Sequence, residues 1–178
     1  ILPRCLTPGV YQTESVLPSL SPSMDIQVSS NFERVLFDAY GRDGAAVAQV
    51  MGELKKDGRF TVSQGALEML RETFASGRVS EDETSATIAR TLKASVELLC
   101  PHSAVGVAVA EQHLGANPMV TLATAHPAKF PAAVEAATGI HPALPPRMAD
   151  LFERPERVTR MTGELQAIEA LILERTGA

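Results

Sequence analysis

The 178-residue sequence has no tryptophan, and aromatic residues make up only 4% of it. A core without large rings has to be built from Ala, Val, Leu and Ile packed closely, and alanine is abundant, above all between Ala104 and Ala143. Cysteine is nearly absent: Cys5 and Cys100 stand far apart. They lack the paired spacing of a metal site, so no metal is expected, and a disulfide scaffold would need more of them. Two reduced thiols in a cytoplasmic protein are the expectation, with Cys100 buried and inert beside Leu98 and Leu99. No stretch approaches the ~20 apolar residues of a membrane helix, so no membrane partner is expected. Positive charge is in deficit, with 16 basic residues against 21 acidic ones and a net charge of −5. A nucleic-acid module shows a basic stripe, so nucleic acid is not an expected partner either. The Lys55-Lys56 pair reads as a solvated helix end. What is present, 45% hydrophobic and 21% charged residues, is the balance of a globular protein.

Residues 1–29, punctuated by Pro3, Pro8, Pro18 and Pro22 among many hydroxyl side chains, read as an irregular connecting segment. The opening Ile1-Leu2-Pro3-Arg4 suits the start of no element, and the expectation is a chain that begins inside a larger domain. Residues 30–139 read as helices plus a core strand. Ser30 and Glu33 have capping-box spacing ahead of an apolar stripe of Phe32, Val35 and Leu36. Val47, Val50, Met51 and Leu54 line a second helix that stops at Gly58, and Phe60–Val62 is a short extended piece. Ser63 opens a third helix through Leu67, Leu70 and Phe74 to Gly77. Ser80, followed by Glu81-Asp82-Glu83, opens a fourth through Ile88, Leu92, Val96 and Leu99, which Pro101 stops. The Ala- and Val-rich segment from Ala104 to Leu114 is a tightly packed helix. Met119–Thr124, apolar on both faces, reads as a buried parallel strand. A loop, Ala125–Phe130, leads to a helix from Pro131 to a Gly139 cap. Residues 140–178 read as a proline-rich loop, a candidate strand at Val158–Met161 and a final helix, Glu164–Arg175, presenting Leu165, Ile168 and Ile172. So many helices with two or three short strands suit a nearly all-α protein, or an α/β protein whose sheet is completed elsewhere. The second agrees with the abrupt opening.

No Gly-rich phosphate loop, HExxH or GxSxG motif is present. In open α/β sheets, ligands bind beyond the carboxyl ends of the strands, which singles out Thr124, His126 and Lys129. On pattern alone each has a plain alternative: β-branched filler, a loop residue, a solvated lysine. A second candidate is Pro101-His102-Ser103, where Ser103 can cap the next helix and His102 is either exposed at its start or held against a sheet face. A third is Ser21–Ile26 with Ser29-Ser30-Asn31, a polar turn running into a helix N-terminus of the kind that can hold an anion.

Four stretches carry a resemblance that covers nearly the whole chain and weakens after Gly139: SPSMDIQVSSNFER (Ser21–Arg34), DETSATIAR (Asp82–Arg90), PHSAVGVAVA (Pro101–Ala110) and TAHPAKFP (Thr124–Pro131). In this order and spacing the sequence resembles the C-terminal part of the threonine synthases, enzymes that use pyridoxal 5'-phosphate to convert O-phosphohomoserine and water to threonine and phosphate. The resemblance implies an α/β, fold type II enzyme with a parallel sheet, of which this chain is the helix-rich C-terminal part of the large catalytic domain, with few short strands. Its partners would be the substrate O-phosphohomoserine and the remaining N-terminal part of the same enzyme. The family's Schiff-base lysine and cofactor-phosphate loop lie upstream of any matched motif, so no catalytic residue is expected here, Lys129 is not that lysine, and the chain alone should be inactive. Thr124 resembles the family's hydroxyl facing the pyridine nitrogen, where a neutral group leaves that nitrogen unprotonated. Ser23, Asp25, Asn31, His126 and Lys129 are possible site-lining residues. Cys100 departs from the pattern, since the family more often has an acidic residue before Pro-His, and the proline-rich run Ile140–Pro155 fits no motif. A phospho-lyase of the same fold and a non-catalytic helical interaction module are the alternatives.

Overall fold

Proline and apolar spacing organise the chain from its first residues. In the computed structural model, which describes residues 1–177, helix α1 (Leu2–Leu6) starts with a proline in its first turn, where the missing N–H costs no hydrogen bond. Strand β1 (Val10–Gln12) follows and pairs antiparallel with β2 (Arg59–Thr61), with Tyr11 opposite Phe60. The segment 1–29 is therefore not wholly irregular: α1 and β1 fold because Cys5, Leu6 and Tyr11 can bury themselves against later helices.

Around this ribbon stand α2 (Ser30–Ala39), α3 (Gly44–Asp57) and α4 (Gln64–Thr73). Leu36, Val50, Leu54, Phe60, Leu67 and Leu70 form their shared core with Tyr11. Tyr11 stacks on both Phe32 and Phe60, at centroid distances of 5.7 and 5.1 Å, so three of the few aromatic rings meet in this core. Asp43 caps α3 by accepting from the Ala45 and Ala46 amides, and Gly58 ends it at φ +68°, a conformation that favours glycine.

Helix α5 (Glu81–Ser95) packs against α6 (Pro101–Glu111) and α7 (Pro131–Thr138). Ile88, Thr84, Ala104 and Val134 are fully or almost fully buried there. Ser80 and Glu83 close a reciprocal capping box at the start of α5. These elements make one compact unit, Ile1–Ala143. The second unit begins at Leu144 and holds a short 3₁₀ turn (Pro146–Met148) and α8 (Leu165–Thr176). Leu165, Ile168 and Ile172 of α8 are exposed to differing degrees.

Several expectations are corrected. The Ser30–Glu33 capping box does not form; Ser29 is the N-cap of α2 and makes no side-chain cap. Helix α4 ends at Thr73, short of Gly77. Helix α5 ends at Ser95, where Val96 turns into the left-handed region at φ +65°, so Leu99 is not on it. Neither Met119–Thr124 nor Val158–Met161 is a strand, and the only sheet among the described residues is β1–β2. An extended segment cannot satisfy its own backbone groups and needs a neighbouring strand, and none lies beside these two. Val120 and Leu122 are accordingly 78% and 75% exposed, the reverse of a buried strand.

Candidate functional site

The first turn of α6 brings the predicted segments together. Pro101 at its start leaves the amide of Ser103 to be capped, and the Cys100 thiol accepts it at 3.4 Å. Cys100 is therefore the N-cap, and Ser103, expected in that role, is the third residue of the helix. Its hydroxyl turns elsewhere: it lies 3.2 Å from the Cys100 sulfur and accepts the backbone N–H of Thr124 at 3.2 Å. Beside it, His102 Nε2 accepts the backbone N–H of Ser23 at 3.1 Å. Both side chains are buried, with 6% and 3% of their residues' surface exposed. Of the two positions left open for His102, the exposed one is excluded; it is held inside, against the Phe130 ring at a centroid distance of 4.7 Å.

A nitrogen that accepts an amide hydrogen carries no proton of its own, so the hydrogen of neutral His102 is on Nδ1. That atom is buried and has no partner among the described residues. Burial holds the imidazole below its ordinary pKa, the Lys129 ammonium adds to this, and the Asp25 carboxylate opposes it.

Each predicted site residue can now be placed. Thr124 is exposed; only its backbone is tied down, and its hydroxyl makes no hydrogen bond among the described residues. Such a neutral hydroxyl can meet a heteroaromatic nitrogen without demanding a proton on it. His126 caps the 3₁₀ turn Pro127–Lys129, its Nδ1 accepting the Ala128 amide at 3.2 Å. Lys129 is exposed, with its Nζ 5.8 Å from the centre of the Phe130 ring. Asp25 accepts both the amide and the hydroxyl of Ser19, at 2.9 and 2.7 Å, and so fixes the turn that carries Ser23. Asn31 is not gathered with these groups by any hydrogen bond; it accepts from Arg34 on its own helix.

A cleft of about 560 Å³ opens beside this cluster, lined among others by Glu97, Cys100, Ser103, Ala123, Ala125 and His126. Thr124 is not in its lining, as expected when neighbours in an extended segment face opposite ways. Sequence reasoning missed Tyr11 and Phe130. The Tyr11 hydroxyl donates to the Gln27 carbonyl at 2.9 Å and accepts the Ser29 amide at 3.2 Å, tying the Ser-rich motif to the core. The signal for Tyr11 was its alternation with Val10 and Gln12, and for Phe130 its place inside the TAHPAKF run. Among the described residues no group of three His, Cys, Asp or Glu side chains could hold a metal ion, and no helix is long and apolar enough to cross a membrane.

The family described as "Threonine synthase, C-terminal" matches residues 103–172. Threonine synthase of Pseudomonas aeruginosa is 48% identical over 175 residues, 97% of this chain and 37% of that protein. Among solved structures, pyridoxal-phosphate-bound threonine synthase from Brucella melitensis superposes with a TM-score of 0.90 at 49% identity, covering 99% of this chain and 38% of that one. Threonine synthase from yeast gives a TM-score of 0.82 at 32% identity, covering 99% and 40%. The chain thus spans less than half the length of the relatives it matches.

Proposed function

The chain belongs to the threonine synthase family and corresponds to its C-terminal part, and on that premise we propose that it works within an enzyme that converts O-phosphohomoserine and water to threonine and phosphate with pyridoxal 5'-phosphate. The observation that carries this reading is the superposition of nearly all of this chain on part of a pyridoxal-phosphate-bound threonine synthase, with the Ser21–Arg34 and Thr124–Pro131 motifs joined through one helix turn. In this reading residues 1–178 are the helix-rich C-terminal part of a large, parallel-sheet catalytic domain. An N-terminal part of the same enzyme supplies the lysine that bonds the cofactor and the loop that holds its phosphate. The exposed apolar residues of Met119–Leu122 support a sheet completed from outside this chain.

One observation supports a fit to the cofactor: among the described residues the Thr124 hydroxyl makes no hydrogen bond, on a loop whose backbone is held. The bound cofactor supplies an electron sink for the substrate's carbon chain. Thr124 is proposed to meet its ring nitrogen as a neutral partner and so leave that nitrogen unprotonated. Ser23, Asp25, Asn31, His126 and Lys129 are proposed to line the site. Lys129 brings a cation to a substrate that carries a phosphate, and Asp25 acts through the turn it fixes. The compartment is proposed to be the cytoplasm, in keeping with a biosynthetic enzyme. Neither a phospho-lyase of the same fold nor a free-standing helical module is favoured by the matches.

The test is turnover. The longer enzyme carrying this segment should release phosphate from O-phosphohomoserine and form threonine, and Thr124→Ala should shift the cofactor's absorbance and lower kcat. The 178-residue chain alone should do neither. Turnover by that chain after loading with pyridoxal phosphate, with one lysine labelled by borohydride, would overturn the reading.

A further inference from the structure

Two consecutive residues of the α6 first turn, His102 and Ser103, are polar and at least nine-tenths buried, and neither caps its own helix. Burying a polar side chain is unfavourable unless it makes a bond that the fold requires. Ser103 spends its acceptor on the Thr124 amide, 21 residues away. His102 spends Nε2 on the Ser23 amide, 79 residues away. The imidazole bears a second cost, because its buried Nδ1–H finds no acceptor among the described residues. A leucine or methionine would fill the space beside Phe130 without it. A first turn of this kind is also a rigid place to hold loops from, since Pro101 fixes its start and the Cys100 sulfur caps the Ser103 amide.

We infer that His102 and Ser103 are positioning residues: a two-armed clamp in which Ser103 sets the loop that presents Thr124 and His102 sets the turn that presents Ser23. This rests on the reading of the site given above and adds the parts that hold it in register. The two arms are separable, because each grips one backbone amide in one motif. The His102 arm works only while Nε2 is unprotonated, since an imidazolium has no acceptor for the Ser23 amide. The charged groups that act on it are Asp25, from the turn, and Lys129, from the loop. The first turn of α6 carries no acidic residue.

The experiment uses the longer enzyme with Ser103→Ala, His102→Leu and His102→Gln, read by amide hydrogen exchange and by kinetics. Ser103→Ala should speed exchange at the Thr124 amide by about 2- to 12-fold, as expected for one lost hydrogen bond, and leave Ser23 unchanged. It should also weaken retention of pyridoxal phosphate and lower kcat. His102→Leu should do the reverse, freeing the Ser23 amide and raising KM for O-phosphohomoserine with cofactor retention kept. His102→Gln, whose side-chain oxygen can accept near the position of Nε2, should restore most of the loss. A loop displaced by about 1 Å is enough for a change of about 100-fold in kcat/KM. The clamp is refuted if folded variants leave both amides protected, or if both variants disturb the two loops alike. An unsubstituted enzyme that cannot turn over O-phosphohomoserine would sink the proposed function instead, and the exchange pattern would still decide the clamp.

Discussion

Replacing Tyr11 by Phe removes one oxygen and nothing else from the most buried aromatic stack. The residue is 2% exposed and its ring stacks on both Phe32 and Phe60, contacts that phenylalanine keeps. What goes is a hydroxyl that donates to the Gln27 carbonyl and accepts from the Ser29 amide. Each such bond is worth about 0.5–1.5 kcal/mol net, so two give at most about 3 kcal/mol. Gln27 and Ser29 are half-buried, so water can replace part of the loss. The expected cost is therefore about 1–2 kcal/mol, concentrated in the segment between Asp25 and the start of α2. At about 1.4 kcal/mol per tenfold, the Ser29 amide should exchange about 5 to 30 times faster. The assay is site-resolved hydrogen exchange on the longer enzyme, with Leu36 and Leu70 amides as internal references. Unchanged exchange at Ser29 in a folded variant would refute the argument. So would equal acceleration at the reference amides, because that would mean a global loss of stability rather than a freed segment.

Ile88 is fully buried on α5, and Ile88→Ala should cost about 2–5 kcal/mol, read as a fall in Tm; a loss below ~1 kcal/mol would mean that α5 does not pack as described. Val96 sits at φ +65° and is 85% exposed, so Val96→Gly relieves a left-handed conformation that costs a β-branched residue about 1–2 kcal/mol and loses little packing. Glycine's greater freedom in the unfolded chain takes back about 0.5–1 kcal/mol, leaving a gain of up to about 1.5 kcal/mol, read as a higher denaturant midpoint; a loss of stability would contradict it. His102 titrates below its ordinary 6.5 in the fold, first because it is buried and then because of Lys129. The unfolded chain therefore takes up its proton first as pH falls, so stability drops below about pH 6.5 and goes on dropping until the folded imidazole protonates. The urea midpoint should follow this course, and His102→Gln should flatten it; identical curves for the two would remove His102 as the source.

What the sequence made legible was whatever is encoded locally. The acidic first turn that starts α5 after Ser80, the Gly58 and Gly139 caps and the proline start of α7 each depend on a few adjacent residues, and each formed where expected, while the capping box expected at Ser30 formed at Ser80 instead. The misreadings arose where the answer lies outside the local window. Met119–Thr124 has the composition of a buried strand, yet a strand is a property of a pair, and the described residues hold no partner for it. Alternation of apolar residues cannot say whether the second strand is on the same chain. Helix α5 continued in apolar spacing to Leu99, but the chain leaves the helix at Val96, a residue whose positive φ no propensity would foresee. At the site, Thr124 and Lys129 could be chosen from the loop they share. That His102 reaches Ser23 could not, because 79 residues separate them and only the folded chain sets that distance.

Cys100 caps α6 with a neutral thiol, where an acidic or hydroxyl side chain is the common choice at a helix start. An acidic residue at a helix N-cap does two things: it accepts a free amide and it places negative charge at the positive end of the helix. The Cys100 sulfur performs the first, accepting from Ser103 at 3.4 Å. The second matters less here than on a surface helix, because Cys100 is 1% exposed and a carboxylate buried to that degree would need partners of its own. The sulfur also lies 3.2 Å from the Ser103 hydroxyl, the group that holds the Thr124 amide. A residue two bonds removed from the loop thus bears on it through Ser103. In the proposed clamp, the position before Pro-His is the base rather than a site residue in its own right. What the first turn of α6 needs there is an acceptor of the right reach, and a thiol meets that need without charge.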